Sequence, residues 1–355
     1  MVVETLMKIK PNIPLAPLTT FGIGGNAKFF VEVSDVEELK EAVKFTKENK
    51  LPIFVLGGGS NILISDNGFD GLVVKMDIRG LNFSDIPAGW YIRVGAGEMW
   101  DNVVAQAVEL NAGGIENLSL IPGTAGGAVY QNIGAYGSEI KDVLIFVQAY
   151  DISIDNIVRL SNEECDFEYR SSIFKKNKNL IVLEAELLLP KNYIPNLLYS
   201  DLQNQFNGRN PTITEIRQAV IEIRLSKIPY QQNIVPHFFQ DDGHQPFMGN
   251  AGSFFKNPII KISNFEFLIS KYLDLKGKNV GNGLVKLSAG QLIEKCGFQG
   301  KRFGNVGVSA KHALILINYG GGTSKELAEL ENIIETAVKA EFGIELEKEV
   351  EKVAF

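Results

Sequence analysis

Two glycine-rich stretches constrain this chain more than any other feature, because neither matches a standard nucleotide-binding fingerprint. Gly57-Gly58-Gly59-Ser60-Asn61 follows a short apolar run at residues 53–56. The second stretch, residues 121–137, reads Ile-Pro-Gly-Thr-Ala-Gly-Gly-Ala-Val-Tyr-Gln-Asn-Ile-Gly-Ala-Tyr-Gly and holds five glycines and no charged residue. A backbone without Cβ atoms can approach a ligand closely, and consecutive N–H groups form a nest for an anion such as a pyrophosphate. Yet no G-x-G-x-x-G and no Walker A sequence occurs in the 355 residues. A dinucleotide held here needs a scaffold other than the Rossmann or P-loop type. Tight turns use the same residues, so the glycines alone leave both readings open.

Around these stretches the chain alternates strand and helix. Residues 28–33 read as a strand. Ser34 is placed to cap a helix whose stripe is Val36, Leu39, Ala42, Val43 and Phe45. Residues 53–56 and 72–76 read as strands, which completes a small α/β unit. Residues 90–94 form a strand and 99–110 a helix, and β-rich segments follow at 143–150, 157–160 and 180–189. Residues 214–227 are helical, with Ile216, Val220, Ile221 and Ile223 on or near one face. Residues 228–248 have little periodicity and read as a loop. From Gly249 a third region begins, in which Ser288 caps a helix at 289–296 and 313–317 is a buried strand. Ser324 is placed to cap a long C-terminal helix with Leu327, Leu330, Ile333, Ile334, Ala337 and Val338 inward, ended at Phe342-Gly343. Residues 344–353 alternate like a strand.

Composition narrows the function. A net charge of −7 argues against a broad nucleic-acid surface but leaves room for a small anion held by local cations and N–H groups. The two cysteines, Cys165 and Cys296, have no metal-type spacing and read as free thiols. Residues 1–15 lack the apolar centre of a signal peptide, and no apolar run is long enough to span a bilayer. The expectation is a cytoplasmic monomer with no membrane or nucleic-acid partner.

Three further segments carry side chains able to do chemistry. Gly249-Asn-Ala-Gly-Ser-Phe-Phe-Lys-Asn-Pro contains Ser253. No Gly-x-Ser-x-Gly elbow surrounds it, so a serine-hydrolase reading fails, and the start of a strand is the plain alternative. Tyr169-Arg-Ser-Ser-Ile-Phe contains Arg170, and an arginine in such a run ordinarily pairs with a carboxylate or reaches to solvent. The terminal segment holds several glutamates, any of which could simply be solvated.

Five motifs occur in a telling order: Thr20-Phe-Gly-Ile-Gly-Gly, Gly57-Gly-Gly-Ser-Asn-Ile-Leu, Gly95-Ala-Gly-Glu-Met-Trp-Asp, Ile121-Pro-Gly-Thr-Ala-Gly-Gly and Gln131-Asn-Ile-Gly-Ala-Tyr-Gly. With the Ser253 segment they resemble the UDP-N-acetylenolpyruvoylglucosamine reductase family from about Thr19 to Val353. The resemblance implies an α+β protein: a two-lobed FAD-binding domain of the PCMH/vanillyl-alcohol-oxidase type plus a smaller α+β substrate-binding domain. Lobe 1 would be residues 1–80, with 321–355 returning to the core near the active site. Lobe 2 would be 81–225, and the substrate domain 226–320.

By the same resemblance, non-covalent FAD lies against Gly57, Gly58, Gly59, Ser60, Asn61, Ile62, Pro122, Gly123, Thr124, Gly126, Gly127, Asn132, Gly134, Ala135, Tyr136 and Gly137. NADPH would be the co-substrate and the enolpyruvyl ether of UDP-N-acetylglucosamine the substrate. Ser253 would be the proton donor, with Arg170 and Glu349 as the other catalytic residues. Glu349 is selected over Glu345 and Glu347 by Gly-Ile-x-Leu-Glu-x-Glu-Val. Tyr199, on a loop that marks one subtype of the family, Lys227 and Asn257 would meet substrate. The chain departs from the family pattern at 228–248, which is longer than usual. His237, Asp241, Asp242 and His244 lie there, but such residues also populate ordinary polar loops, and no metal is expected. Two alternatives stand beside this reading: another FAD oxidase or dehydrogenase on the same scaffold, or a catalytically silent flavin-binding regulator. The joint presence of Ser253, Arg170, Glu349 and the Tyr199 loop counts against both.

Overall fold

The computed structural model describes residues 8–229 and 248–354. Most of the 228–248 segment, with His237, Asp241, Asp242 and His244, lies outside the described residues.

A strand buried on both faces needs a continuous apolar run, and Phe69–Met76 has one, with Leu72, Val73 and Val74 fully buried. It lies between Asn26–Val33 and Ile53–Leu56, both parallel to it, and Lys10–Pro14 completes the sheet beyond Asn26–Val33. Parallel neighbours need a crossover, which the helix Val36–Asn49 supplies with Leu39, Ala42 and Val43 inward. Its N-cap is Asp35, not Ser34. The Asp35 carboxylate accepts the Glu38 N–H at 2.8 Å, while Ser34 donates to the Glu38 side chain from both its N–H and its hydroxyl. The longer Asp reaches the amide, and the serine is left to clasp the returning glutamate.

Alternating residues build the second sheet, which is antiparallel. Its order is Asn156–Ser161, Leu144–Asp151, Leu180–Pro190, Gly89–Gly95 and Leu81–Ile86. Both sheets share one core with the helices Trp100–Glu109 and Ala125–Gln131, formed by Val31, Val74, Ile92, Trp100, Val129 and Leu187 among others. Tyr91, Arg93, Arg159, Glu184 and Glu186 form a charged ladder on the second sheet, with Arg159 gripping Glu186 at 2.7 and 3.1 Å.

By their packing the residues fall into two units: Met1–Ile13, Ala27–Gly59 and Phe69–Leu225 in the first, and Pro14–Asn26, Ser60–Gly68 and Ser226–Phe355 in the second. A two-lobed subdivision of the first unit, one lobe per sheet, remains our proposal. The second unit has two short antiparallel sheets. One orders Ile259–Lys261, Leu284–Leu287 and Gly277–Gly281, and the other Arg302–Phe303, Val306–Val308 and Leu316–Asn318. Phe21, Leu63, Phe254, Phe255, Leu292 and Leu330 share its core. Both cysteines are free thiols. Among the described residues no helix is long and apolar enough to cross a membrane.

The helix Ser324–Phe342 differs from expectation at its start and on one face. Thr323 is its N-cap, in a reciprocal capping box with Glu326. Ser324 instead accepts the Asp66 N–H at 2.9 Å, and the Asp66 carboxylate accepts the N–H groups of Ser324 (2.8 Å) and Lys325 (3.1 Å). Ile333 points outward, 44% exposed, because it stands about 100° around the axis from Ile334. Gly343 ends the helix in the left-handed region at φ 68°. Beyond it only Glu351–Val353 forms a ladder, parallel to Ile62–Ile64, so the expected 344–353 strand is mostly extended chain.

Asp66 acts as a remote anionic cap at a helix N-terminus. Asp66→Ala is expected to lower stability by about 1–2 kcal/mol in urea unfolding. A loss below about 0.3 kcal/mol would mean water satisfies those amides equally well.

Candidate active site

The two glycine stretches meet backbone to backbone within the first unit. A Cβ on Gly58 would stand 2.4 Å from the Gly123 Cα, and one on Gly57 would stand 2.9 Å from Thr124 Oγ1. Only glycine permits this approach at position 58, because the obstacle is backbone and cannot swing aside. The Lys75 ammonium donates to the Gly57 carbonyl. Burial holds Lys75 below the usual lysine range, with Glu32 and Asp77 opposing that shift.

The second stretch is not the continuous loop its composition suggests. Thr124 caps the helix Ala125–Gln131, its Oγ1 accepting the Gly127 N–H at 3.4 Å, and Asn132 ends the helix at φ 45°. Two glycines in seven residues ordinarily weaken a helix. Here small size is the requirement, since a Cβ on Gly126 would stand 2.8 Å from the Ala96 Cβ. The sequence signal for this helix was Thr124 as a cap. After it, Gly134–Ala135 pairs with Ser138–Glu139, and Tyr136 (φ 49°) and Gly137 (φ 89°) make the turn.

Asn132 is fully buried and donates to the Glu168 carbonyl at 2.9 Å and to Glu139 at 3.2 Å. The first stretch passes into the second unit between Gly59 and Ser60. There Asn61 donates to the Glu349 carbonyl at 3.1 Å, its own carbonyl accepts the Glu351 N–H at 3.0 Å, and Ile62 opens a strand. Bare glycine backbone at Gly57, Gly58 and Gly123 suits the pyrophosphate of a dinucleotide such as FAD.

Arg170 sits at the end of this stretch with φ 56°, a conformation uncommon outside glycine. Two backbone carbonyls hold its guanidinium, those of Gly134 and of Asn132 (3.5 Å), and Tyr169 lies beside it at 5.1 Å. Gly134 leaves room for this, since a Cβ there would stand 2.8 Å from Arg170 Nη1. Tyr199 is 42% exposed and caps the helix Ser200–Phe206. Its ring meets Tyr136 edge to face at 5.1 Å. Burial pushes the Tyr136 hydroxyl up to about 12, while the Arg224 guanidinium bonded to it pulls the other way.

Three polar residues that sequence reasoning missed support this cluster. Arg224 donates to the Leu120 carbonyl at 3.2 Å. Asp101 accepts both Arg217 N–H groups at 2.8 Å and the Leu120 N–H at 2.5 Å. Asn117, fully buried, donates to the carbonyls of Tyr136 (3.0 Å) and Asn196 (2.8 Å). The one available signal was Glu116-Asn117 inside an apolar run, since buried polar groups need partners.

In the second unit two fully buried phenylalanines, Phe254 and Phe255, anchor the segment that carries Ser253. Ser253 bridges Ile315 in antiparallel fashion, and the Phe254 N–H donates to the Leu314 carbonyl at 2.8 Å. The Phe254 carbonyl accepts the Glu349 N–H at 2.9 Å, so Ser253 and Glu349 ride on adjacent segments. Asn257 Oδ1 accepts the Ala289 N–H at 3.0 Å, which uses its acceptor to start the helix Ala289–Lys295. Glu345 pairs with Lys339 at 2.7 Å and Glu347 with Lys256 at 2.5 Å, whereas Glu349 is half-buried. His312, also missed from the sequence, accepts the Leu314 N–H on Nδ1 at 3.2 Å. Burial, and after it the Lys227 ammonium, hold His312 below its usual value. Arg170 and Tyr199 thus belong to the first unit, and Ser253, Asn257, Lys227 and Glu349 to the second.

Comparison with known proteins supplies the family. The model described as FAD binding domain matches residues 27–161, and that described as UDP-N-acetylenolpyruvoylglucosamine reductase, C-terminal domain, matches 244–353. A Flavobacterium johnsoniae protein named UDP-N-acetylenolpyruvoylglucosamine reductase is 40% identical over 352 residues, 97% of this chain and 99% of its own length. A Shewanella sp. (strain ANA-3) protein of that name is 39% identical over 337 residues, 94% of each chain. The crystal structure of UDP-N-acetylenolpyruvylglucosamine reductase from Thermus caldophilus superposes with a TM-score of 0.66 at 25% identity, covering 98% of this chain and all of that one. The α+β chain therefore belongs to the UDP-N-acetylenolpyruvoylglucosamine reductase family and is an FAD-dependent oxidoreductase of peptidoglycan precursor synthesis.

Proposed function

We propose that the protein reduces the enolpyruvyl ether of UDP-N-acetylglucosamine to the lactyl ether, UDP-N-acetylmuramate, with NADPH as electron source, acting as a cytoplasmic monomer. The observation that carries the reading is the pairing of the Ser253 and Glu349 segments through the Phe254 carbonyl. FAD, held by the glycine stretches around residues 57–59 and Gly123, would supply the hydride that the vinyl carbon remote from the carboxylate receives. The remaining work belongs to the chain. Addition of hydride leaves an enolate-like anion on the substrate. Arg170, its guanidinium held in place by two carbonyls, opposes that charge electrostatically. Ser253 Oγ–H gives its proton to the carbon beside the carboxylate. Glu349 donates a hydrogen bond to the same anion when protonated, and when ionised it instead orients a cation or a water. Tyr199 offers a ring to the nucleotide and Lys227 a point charge to its diphosphate. Asn257, with Oδ1 occupied by the Ala289 N–H, turns its amide donor to substrate.

The purified protein is expected to be yellow, and acid precipitation is expected to leave FAD in the supernatant. Gly58→Ala is expected to lose most of the bound flavin, read by absorbance. A colourless parent protein that FAD cannot reconstitute ends the flavin reading, and flavin retained on the precipitate ends the non-covalent part.

Tyr199→Ala and Lys227→Ala are expected to weaken sugar-nucleotide binding, about tenfold or more for the lysine, while NADPH still reduces the flavin at the parent rate. Unchanged affinity in both variants would remove these residues from the substrate site.

Ser253→Ala separates the half-reactions most sharply. NADPH reduction of the flavin needs no proton on a substrate carbon and is expected at nearly the parent rate. Reoxidation by the sugar nucleotide is expected to slow by about 10²–10⁴-fold, the usual contribution of a positioned general acid. Stopped-flow absorbance measures each step. Equal slowing of both would assign Ser253 to the flavin site, and no slowing would make it structural.

A further inference from the structure

Glu331 is a carboxylate in the wrong place for a solvated residue. It lies on the helix Ser324–Phe342, is 2% exposed, and shares that helix's inner face with Leu327, Leu330, Ile334 and Val338. Its Oε1 is 2.8 Å from the Lys348 ammonium and its Oε2 is 2.7 Å from the Lys352 ammonium. Glu335 adds a second carboxylate 3.5 Å from Lys348. Burying an ion pair adds little net stability, because desolvation offsets the attraction, but it can fix one arrangement against its alternatives.

The alternatives here are register slips. The two lysines bracket Glu349. In extended chain, side chains alternate, so Lys348, Val350 and Lys352 share a face, and Glu349 and Glu351 take the other. Val350 is 3% exposed, consistent with that face being the inner one. Single backbone contacts also hold the segment: the Lys256 N–H donates to the Glu347 carbonyl at 2.7 Å, Asn61 bonds the Glu349 carbonyl (3.1 Å) and the Glu351 N–H (3.0 Å), and the Ser65 N–H donates to the Val353 carbonyl at 3.0 Å. Its ladder with Ile62–Ile64 has three pairs, all at or beyond Glu351. The Phe254 carbonyl accepts from both Glu349 N–H (2.9 Å) and Val350 N–H (3.4 Å), and so distinguishes weakly between neighbouring registers. From Glu347 to Lys352 the sole apolar side chain is Val350. A slip by one residue would turn Glu349 toward the helix and Lys348 away from it.

We propose that Glu331 is a positioning residue that, by clamping Lys348 and Lys352, sets the register of the C-terminal strand and thereby the direction in which Glu349 points. The inference rests on the proposed catalytic role of Glu349 and extends it to a residue that touches neither substrate nor flavin.

Glu331→Gln keeps the volume and removes the charge. At saturating sugar nucleotide its reoxidation step is expected to slow by about 10–100-fold, the scale of a misplacement near 1 Å, with NADPH reduction and the substrate KM close to parent values. Val338→Ala, a cavity variant on the same helix, is expected to lower Tm without separating the two half-reactions. In a Glu349→Gln background, adding Glu331→Gln is expected to slow reoxidation no further, because the effect passes through Glu349. Full additivity in the double variant, or a parent-like reoxidation rate in Glu331→Gln, overturns the proposal while leaving Glu349 in place. A parent-like rate in Glu349→Gln overturns the catalytic reading and the proposal with it. If Glu331→Gln does not fold, Lys352→Gln removes one arm of the clamp and is expected to give the same asymmetry. Parent-like half-reactions in that variant overturn the proposal equally.

Discussion

The approach of Gly58 to Gly123 is the contact that brings the first unit's two glycine stretches together. Two backbones at that distance exclude any side chain at Gly58. The contact joins the strand end after Ile53–Leu56 to the start of the helix Ala125–Gln131. Short tethers then run on from that helix. It ends at buried Asn132, the next residues turn at Tyr136 and Gly137, and Arg170 is gripped by the Asn132 and Gly134 carbonyls on the way. Those carbonyls orient the guanidinium.

The second unit uses a different device. Phe254 and Phe255 are buried completely, which fixes Ser253 just before them. The Phe254 amide and carbonyl then join two further segments, one through Leu314 and one through Glu349. Asp66, at the surface, and Glu331, in the interior, serve the same unit. One caps the long C-terminal helix, and the other holds the chain that returns after it. Polar groups in this unit therefore carry placement as well as stability, which suits short strands whose ladders are too brief to define register alone.

Much of this is legible in the chain alone. The apolar run of Phe69–Met76, the stripe of Val36–Asn49 and the glycine at 343 announce their elements, because burial and a left-handed cap demand particular residue types locally. Sequence and structure part where two residues compete for one role. Asp35 displaces Ser34 and Thr323 displaces Ser324, since a cap is decided by which oxygen reaches the amide. Hydrophobicity places Ile333 inward because it does not state where a helical stripe ends.

The sequence by itself determined the glycine stretches, the family they belong to and the identities of Ser253, Arg170 and Glu349, because these are properties of residue type and order. Only the tertiary structure decided that Gly126 sits in a helix, that Asn257 spends its acceptor on Ala289, and that Arg224, Asp101 and Asn117 support the Tyr136 turn. It alone set Glu331 between two lysines. These facts depend on which distant segments pack together, and a buried polar group is recognised by its partners, which lie far away in the chain and are adjacent only after folding.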